Sequence, residues 1–304
     1  MSNITLVKCP VCDSTQVKKV LDVTDYFATQ ETFPLFDCDN CGFLFTNQFP
    51  SEEEIQPYYD SPQYISHSDT KKGLTNQLYH LIRKRMLTKK VNLISKYSAP
   101  NKQNTSARLL DIGCGTGYFL DKARTKGYEV SGIEKDGHSR DFAKDKFKLN
   151  INDEDALWNI ETNSFDIVTL WHVLEHMQNL NKVVSKLNQI LKPDGTLVLA
   201  LPNHNSYDAQ VYKKHWAAYD VPRHLWHFTP DTVEKLLKKH SFKIIAKRPM
   251  PVDTFYISLL SEKYKGSNSF KQYIKALSVG SVGYLRSLNN IAYSSSIIYI
   301  AKKS

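Results

Sequence analysis

Four of the five cysteines form two Cys-x-x-Cys pairs, Cys9-Pro10-Val11-Cys12 and Cys38-Asp39-Asn40-Cys41, separated by the 25 residues 13–37. Thiolates at this knuckle spacing suit a tetrahedral four-sulfur site, so Cys9, Cys12, Cys38 and Cys41 are expected to bind zinc. Such a set leaves no coordination position open, and its metal would stabilise the fold rather than do chemistry. The fifth cysteine lies within Asp111-Ile112-Gly113-Cys114-Gly115-Thr116-Gly117. Glycines at 113, 115 and 117 let backbone approach a ligand closely where side chains would intrude. Glu134 follows about 20 residues past the first of them, the separation at which a carboxylate accepts both hydroxyls of a ribose. His172-Val173-Leu174-Glu175-His176 has the His-x-x-Glu-His order of inverted zinc peptidases. A last cluster runs Trp216-Ala217-Ala218-Tyr219-Asp220-Val221-Pro222-Arg223-His224-Leu225-Trp226-His227-Phe228. Loops are ordinarily rich in Gly, Ser, Asn and Asp, so this density of aromatic and ionisable groups predicts a pocket wall. His172, Tyr219, Arg223 and His224 are the catalytic candidates: a histidine as general base, and Arg223 to pair an acidic substrate group. The alternative is a hydrophobic cover in which Arg223 bonds Asp220.

Patterning supplies the elements that position these residues. Residues 1–50 read as short strands and turns with the cysteine pairs at the corners, a small zinc-binding module. Residues 51–106 are a connector and helix: a stretch containing Tyr58, Tyr59 and Tyr64, then Leu74, Leu78, Leu81, Ile82, Val91 and Ile94 near helical spacing, closed by polar residues at 100–106. Through 107–304, strand and helix signals alternate, with an insertion at about 250–293. Strands are expected at 109–112, 129–134, 165–170, 196–201, 242–246 and 296–301, and helices at 179–191 and 231–240, the last opened by Thr229-Pro230-Asp231. Short buried strands separated by helices imply an α/β fold, a doubly wound and mostly parallel sheet. The glycine turn then joins a strand to a helix, and Glu134 ends the next strand. His172 to His176 falls in a loop at the carboxyl end of the strand at 165–170. A peptidase needs that motif inside a long helix, so the position favours a ligand-binding loop.

The glycine spacing differs from the Gly-x-Gly-x-x-Gly of dinucleotide sites, which aims a helix N-terminus at a pyrophosphate. Leu109-Leu110-Asp111-Ile112-Gly113-Cys114-Gly115-Thr116-Gly117 resembles motif I of the class I S-adenosylmethionine (SAM) dependent methyltransferases. Asn163-Ser164-Phe165-Asp166-Ile167-Val168 is similar to that family's fourth strand, and Leu191-Lys192-Pro193-Asp194-Gly195-Thr196-Leu197 to the turn into its fifth. The resemblance covers 107–249 and the closing strand near 296–301, and a stretch with Pro-Arg-His occurs in a broad subgroup. It implies a seven-stranded sheet, SAM as methyl donor, Asp111 with Gly113, Gly115 and Gly117 holding the methionine part, and Glu134 the ribose. Asp153, Glu154 and Asp155 are equally placed to meet the adenine. Methyl transfer is an in-line displacement, and most of its catalysis comes from alignment in a dry site.

The chain of 304 residues is 41% hydrophobic and carries a formal charge of +9. Length alone makes one domain or two equally reasonable. The charge favours an anionic partner, but the basic clusters Arg83-Lys84-Arg85, Lys89-Lys90, Lys213-Lys214, Lys238-Lys239 and Lys302-Lys303 are short and dispersed, as on a solvated face. Residues 1–50 hold little basic character beyond Lys8, Lys18 and Lys19, which disfavours nucleic acid as the partner of the zinc module. A small metabolite is the expected acceptor, and the net charge together with Arg223 would suit an anionic one. RNA or protein methylation through a docking zinc module is the second reading, and a non-enzymatic SAM-binding scaffold the third. The absence of a signal-like or membrane-spanning apolar run, with cysteines suited to metal, predicts a cytoplasmic protein without membrane contact.

Overall fold

The computed structural model describes residues 3–59, 74–97, 106–266 and 270–304. Tyr64 and the polar run at 100–105 lie outside the described residues. Val17–Thr24 (β1), Thr32–Cys38 (β2) and Leu44–Thr46 (β3) pair as an antiparallel meander behind the cysteine knuckles. Leu74–Tyr97 (α1) follows and buries Val91 and Ile94, and its last carbonyl, that of Tyr97, accepts the Thr196 hydroxyl at 3.1 Å.

From there strands and helices alternate: Arg108–Ile112 (β4), Tyr118–Arg124 (α2), Glu129–Ile133 (β5), Gly137–Phe147 (α3), Ile151–Asn152 (β6), Ala156–Asn159 (α4) and Phe165–Trp171 (β7). Leu180–Ile190 (α5), Leu191–Pro202 (β8), Tyr207–Tyr212 (α6), Trp226–His227 (β9), Pro230–Lys239 (α7) and Phe242–Pro249 (β10) continue the chain. Asp253–Tyr264 (α8) and Phe270–Asn289 (α9) stand between β10 and the closing strand Ser296–Lys303 (β11). The sheet order is β10-β11-β8-β7-β4-β5-β6. Strands β4 to β8 pair in parallel, and β11 runs antiparallel to both β8 and β10. The expected seven-stranded, mostly parallel sheet covered on both faces is therefore present.

Local chemistry accounts for these elements. In α5, Leu180, Val183, Val184, Leu187 and Ile190 recur at helical spacing and are all buried. Pro230 occupies the first turn of α7, and Thr229 and Thr232 exchange capping hydrogen bonds at its start. On β5, a Cβ at Gly132 would lie 2.7 Å from both Cys114 Sγ and Leu120 Cδ1, so only glycine lets the turn and α2 sit this close to the strand. Strand β8 begins earlier than the hydrophobic pattern predicts. Leu191 already pairs with Phe165, and the register shifts before Thr196 meets Ile167.

The cysteine module is not a separate bead. β9, which belongs to the 216–228 segment, pairs with β3 and becomes the fourth strand of the amino-terminal sheet. Phe43, Phe45 and Phe49 share one buried cluster with Leu187, Leu236 and Trp226. Asn181 also donates to the Pro10 carbonyl at 2.7 Å, and Lys239 pairs with Asp13 at 2.7 Å.

Candidate active site

The order of the sheet reverses between β4 and β7, and in open α/β sheets the crevice beyond the carboxyl ends at such a point holds the ligand. The glycine turn lies there. Gly113, Gly115 and Gly117 have φ of +68°, +51° and +77°, a region that side chains strain. A Cβ at Gly113 would run into Val173, and one at Gly117 would stand 2.8 Å from Ala143 and Leu149, whereas at Gly115 it would meet nothing within 4 Å. The turn is thus packed at its ends and open over its middle. Glu134 Oε2 accepts the Gly115 N–H at 2.7 Å, and Oε1 accepts that of Asp136 at 2.9 Å. Acid and glycines, separate in sequence, are thereby joined at the carboxyl ends of adjacent strands β4 and β5.

Asp111 is buried on β4, where the Thr169 hydroxyl donates to its Oδ1 at 2.5 Å. Burial pushes its carboxyl up to about 7, against Thr169 and the Lys90 ammonium, which both favour the charge. Lys90 corrects the reading of Lys89-Lys90 as a solvated pair. Its amine lies 4.2 Å from the centre of the Trp171 ring, and burial pushes its pKa down, while Asp111 and Asp253 oppose that shift. Of the acids after β6, Asp153 accepts the Ala156 N–H at 3.3 Å and Glu154 pairs with Lys135 at 3.2 Å. A cavity of about 160 Å³ opens beside them, between α4 and the sheet face that carries Ser131, Ile133 and Asn152.

His172 to His176 leaves β7 as a single 3-10 turn, Leu174–His176, and not as a peptidase helix. His172 has φ +59°, and its two nitrogens point to separate carboxylates: Nδ1 lies 3.4 Å from Glu175 and Nε2 3.3 Å from Asp253. Burial disfavours its charge, yet the two carboxylates outweigh it and hold the imidazole up at about 9. Glu175 is fully buried. His176 and His224 stack edge to face with ring centres 4.5 Å apart. One nitrogen of each, and one oxygen of Glu175, lie within 4.8 Å of one another. Tyr59 adds its hydroxyl 3.3 Å from His176 Nδ1.

The remaining candidates take different places. Arg223 is buried, and donates to Asp220 Oδ1 at 2.7 Å, Asp25 Oδ1 at 2.9 Å and the Tyr58 carbonyl at 2.6 Å. It ties the amino-terminal sheet to the 216–228 segment, in line with the alternative of an internal pair with Asp220. Tyr219 packs edge-on against Trp216 and His227, and burial pushes its hydroxyl up to about 12. Tyr58 donates to Glu31 at 2.6 Å, away from the site. Sequence reasoning missed Lys90, Trp171, Asp253 and Asp25. Lys90, Asp253 and Asp25 reach the site from elements far along the chain, where residue type was their only signal, and Trp171 ends β7 immediately before His172.

At the amino terminus, Cys9 Sγ stands 3.5 Å from Cys41 Sγ and Cys12 Sγ 3.5 Å from Cys38 Sγ. Four sulfurs at about 2.3 Å from one tetrahedral zinc would be separated by roughly 3.8 Å. The Asn40 amide donates to Cys12 Sγ at 3.3 Å, a bond that favours the thiolate. The donor set and its spacing fit zinc.

Sheet order, glycine turn and acid together define a class I SAM-dependent methyltransferase. A family model described as a methyltransferase domain matches residues 79–247, more than half of the chain, and the chain belongs to that family. The ubiquinone biosynthesis O-methyltransferase of Paraburkholderia phymatum is 30% identical over 128 residues, 39% of this chain and 55% of that protein. The mitochondrial ubiquinone biosynthesis O-methyltransferase of Rattus norvegicus is 24% identical over 161 residues, 48% and 47% respectively. The chain spans about half the length of these curated relatives. Among solved structures, Haemonchus contortus phosphoethanolamine N-methyltransferase 2, bound to phosphomonomethylethanolamine and S-adenosylhomocysteine, has a TM-score of 0.52 at 20% identity. The match covers 86% of this chain and 62% of that one, and shows the shared fold.

Proposed function

We propose that the protein transfers the methyl group of SAM to a small, oxygen-bearing acceptor held between the His172–His176 turn and the 216–228 segment. The observation that carries this reading is the convergence of Glu175, His176, His224 and Tyr59 on a turn that packs through Val173 against Gly113. Asp111 and the open middle of the glycine turn would hold the amino-acid end of SAM, and Glu134 the ribose. SAM supplies an electrophilic methyl group. The protein aligns the acceptor behind it and excludes water, the larger part of what such a displacement requires.

Of the four catalytic candidates, we assign acceptor activation to His224, acting with Glu175 and His176. His172 provides fixed positive charge, Tyr219 a wall, and Arg223 the tie that holds the segment in place. With Arg223 engaged by Asp25 and Asp220, no anion-binding role remains for it, and the acceptor need not be anionic. The names of the curated relatives support a small molecule methylated on oxygen. We assign the four cysteines a structural zinc, and place the protein in the cytoplasm on the strength of its free thiols. Labelled-methyl transfer into fractionated cell extract tests the proposal. Wild type is expected to label a small-molecule fraction, and His224→Gln to lose that labelling while binding SAM equally well. Label appearing in RNA or protein alone would overturn it.

A further inference from the structure

We propose that the outer face of α9 is a docking surface for an anionic lipid bilayer, on which the helix lies in the plane of the interface without crossing it. The surface is separate from the donor and acceptor residues described above, and stands on the exposure, spacing and charge of its own side chains.

The large apolar residues of α9 are on the side away from the core. Its buried residues are Gln272, Ala276, Val279, Gly280, Gly283 and Ser287, which are small or polar apart from the valine. The two glycines set the helix closely against α8: a Cβ at Gly280 would stand 2.6 Å from the Phe255 ring, and one at Gly283 3.0 Å from Thr254 Oγ1. Phe270, Tyr273, Ile274, Leu277, Leu285 and Leu288 point outward, each at least 55% exposed. At about 100° per residue they fall within one arc of roughly 120° that runs the length of the helix. Single exposed apolar residues are ordinary, whereas a continuous stripe of this size marks a contact surface.

Charge identifies what covers the stripe. Lys271, Lys275 and Arg286 are exposed along one flank of it, and Lys263 and Lys265 precede it. No acid occurs between residues 263 and 304. The last one before them, Glu262, is buried, with Lys275 Nζ 3.5 Å from its Oε1. A second copy seated on this face would set one basic flank against another with no acid on the helix to pair them, because a two-fold contact uses the same patch twice. Phosphate headgroups instead complement the flank, and acyl chains take the stripe, as in interfacial helices.

Among the described residues no helix is long and apolar enough to cross a membrane, so the contact is peripheral. It revises the expectation of no membrane contact that the sequence alone supports. Asp253, which opens α8, lies 3.3 Å from His172 Nε2. The docked helix therefore packs on the same element that abuts the His172–His176 turn.

Co-sedimentation of the zinc-replete full-length protein with lipid vesicles tests the surface. Vesicles of phosphatidylcholine and phosphatidylglycerol in equal parts are expected to carry the protein down, and those of phosphatidylcholine alone to do so far more weakly. Added salt should weaken binding to the anionic vesicles. Leu277→Ser with Leu285→Ser, and separately Lys271→Glu, are each expected to weaken it by about tenfold or more, with SAM binding by calorimetry confirming that both variants fold. Lys126→Glu, the same charge change on the exposed turn after α2, should stay within about twofold of wild type. Wild type that remains in solution with anionic vesicles, or stripe variants that bind as wild type does, overturns the surface. An equal loss in Lys126→Glu and Lys271→Glu also overturns it, because binding would then follow net charge alone. A lipid-free dimer in sedimentation velocity that Leu277→Ser with Leu285→Ser dissociates would give the face to a second copy and overturn the lipid assignment. Vesicle binding through α9 by a protein that labels no small-molecule fraction supports the surface and overturns only the function proposed above.

Discussion

Asp111 and Arg223 are both buried and ionisable, and the structure treats them in opposite ways. Asp111 has one strong donor, Thr169, and its carboxyl is raised to about 7 from an ordinary 3.8. Its contribution to the stability of the SAM-free protein is therefore complete below 3.8 and is lost as pH rises through about 7. SAM carries positive charge and favours the ionised carboxylate, so its affinity should change the other way. Between pH 6 and pH 8 the ionised fraction rises about tenfold, and calorimetric SAM affinity is expected to rise with it, while Asp111→Asn flattens the dependence. A pH-independent wild-type affinity would remove Asp111 from the binding site. Arg223, by contrast, is fully met by Asp25, Asp220 and the Tyr58 carbonyl. Arg223→Ala leaves Asp25 and Asp220 without their cation and should cost about 3–5 kcal/mol, seen as a large fall in unfolding midpoint. Arg223→Lys keeps the charge but not the planar fork, and should recover only part of it.

Between elements, the decisive contact is the pairing of β3 with β9. Thr46 donates its N–H to Leu225 O at 2.8 Å, and its hydroxyl donates to His224 O at 2.8 Å while also lying 3.0 Å from His227 Nε2. His227 is buried, so Thr46→Val leaves its ring nitrogen without that partner and should destabilise by about 1–3 kcal/mol. Because the lost bonds flank His224, acceptor turnover should fall while the dissociation constant of SAM holds, and a proportional loss of both would contradict this division. The same contact shows where sequence reading stops. Strands β7, β8, β10 and β11 were legible because their apolar runs are long and punctuated. The two residues of β9 have no such pattern, and they become a strand only because β3 lies beside them. The His-x-x-Glu-His motif was visible as chemistry, but its surroundings depend on a 3-10 turn and on His224, which no local pattern couples to it.

Across the whole molecule, two halves divide the work: the sheet from β4 to β8 carries the glycine turn, and the cysteine module braces the segment opposite it. The proposed SAM-binding set was readable because Asp111, the glycines and Glu134 lie within one short stretch of chain. The acceptor side was not, because its supports are remote. Asp25 and Arg223 are 198 residues apart in the chain, and Thr46 and His227 are 181 apart. The zinc assignment acquires a consequence from this arrangement. Cys9, Cys38, Phe43 and Phe45 sit in the same buried cluster as Trp226 and Leu236, and β3 leads directly from the second knuckle to β9. Without metal, four thiols would be left in one apolar site with no ion to order them, and the free energy of zinc binding would be missing from the fold. Cys9→Ser is expected to lower the unfolding midpoint and the zinc content together. It should also abolish acceptor methylation by loosening β3, β9 and His224, while SAM affinity, set by the β4-to-β5 region, stays within a few-fold of wild type. Loss of SAM binding in step with zinc would mean that the module supports the whole fold rather than the acceptor wall. An unchanged midpoint with zinc absent would mean that the four cysteines have no structural metal role.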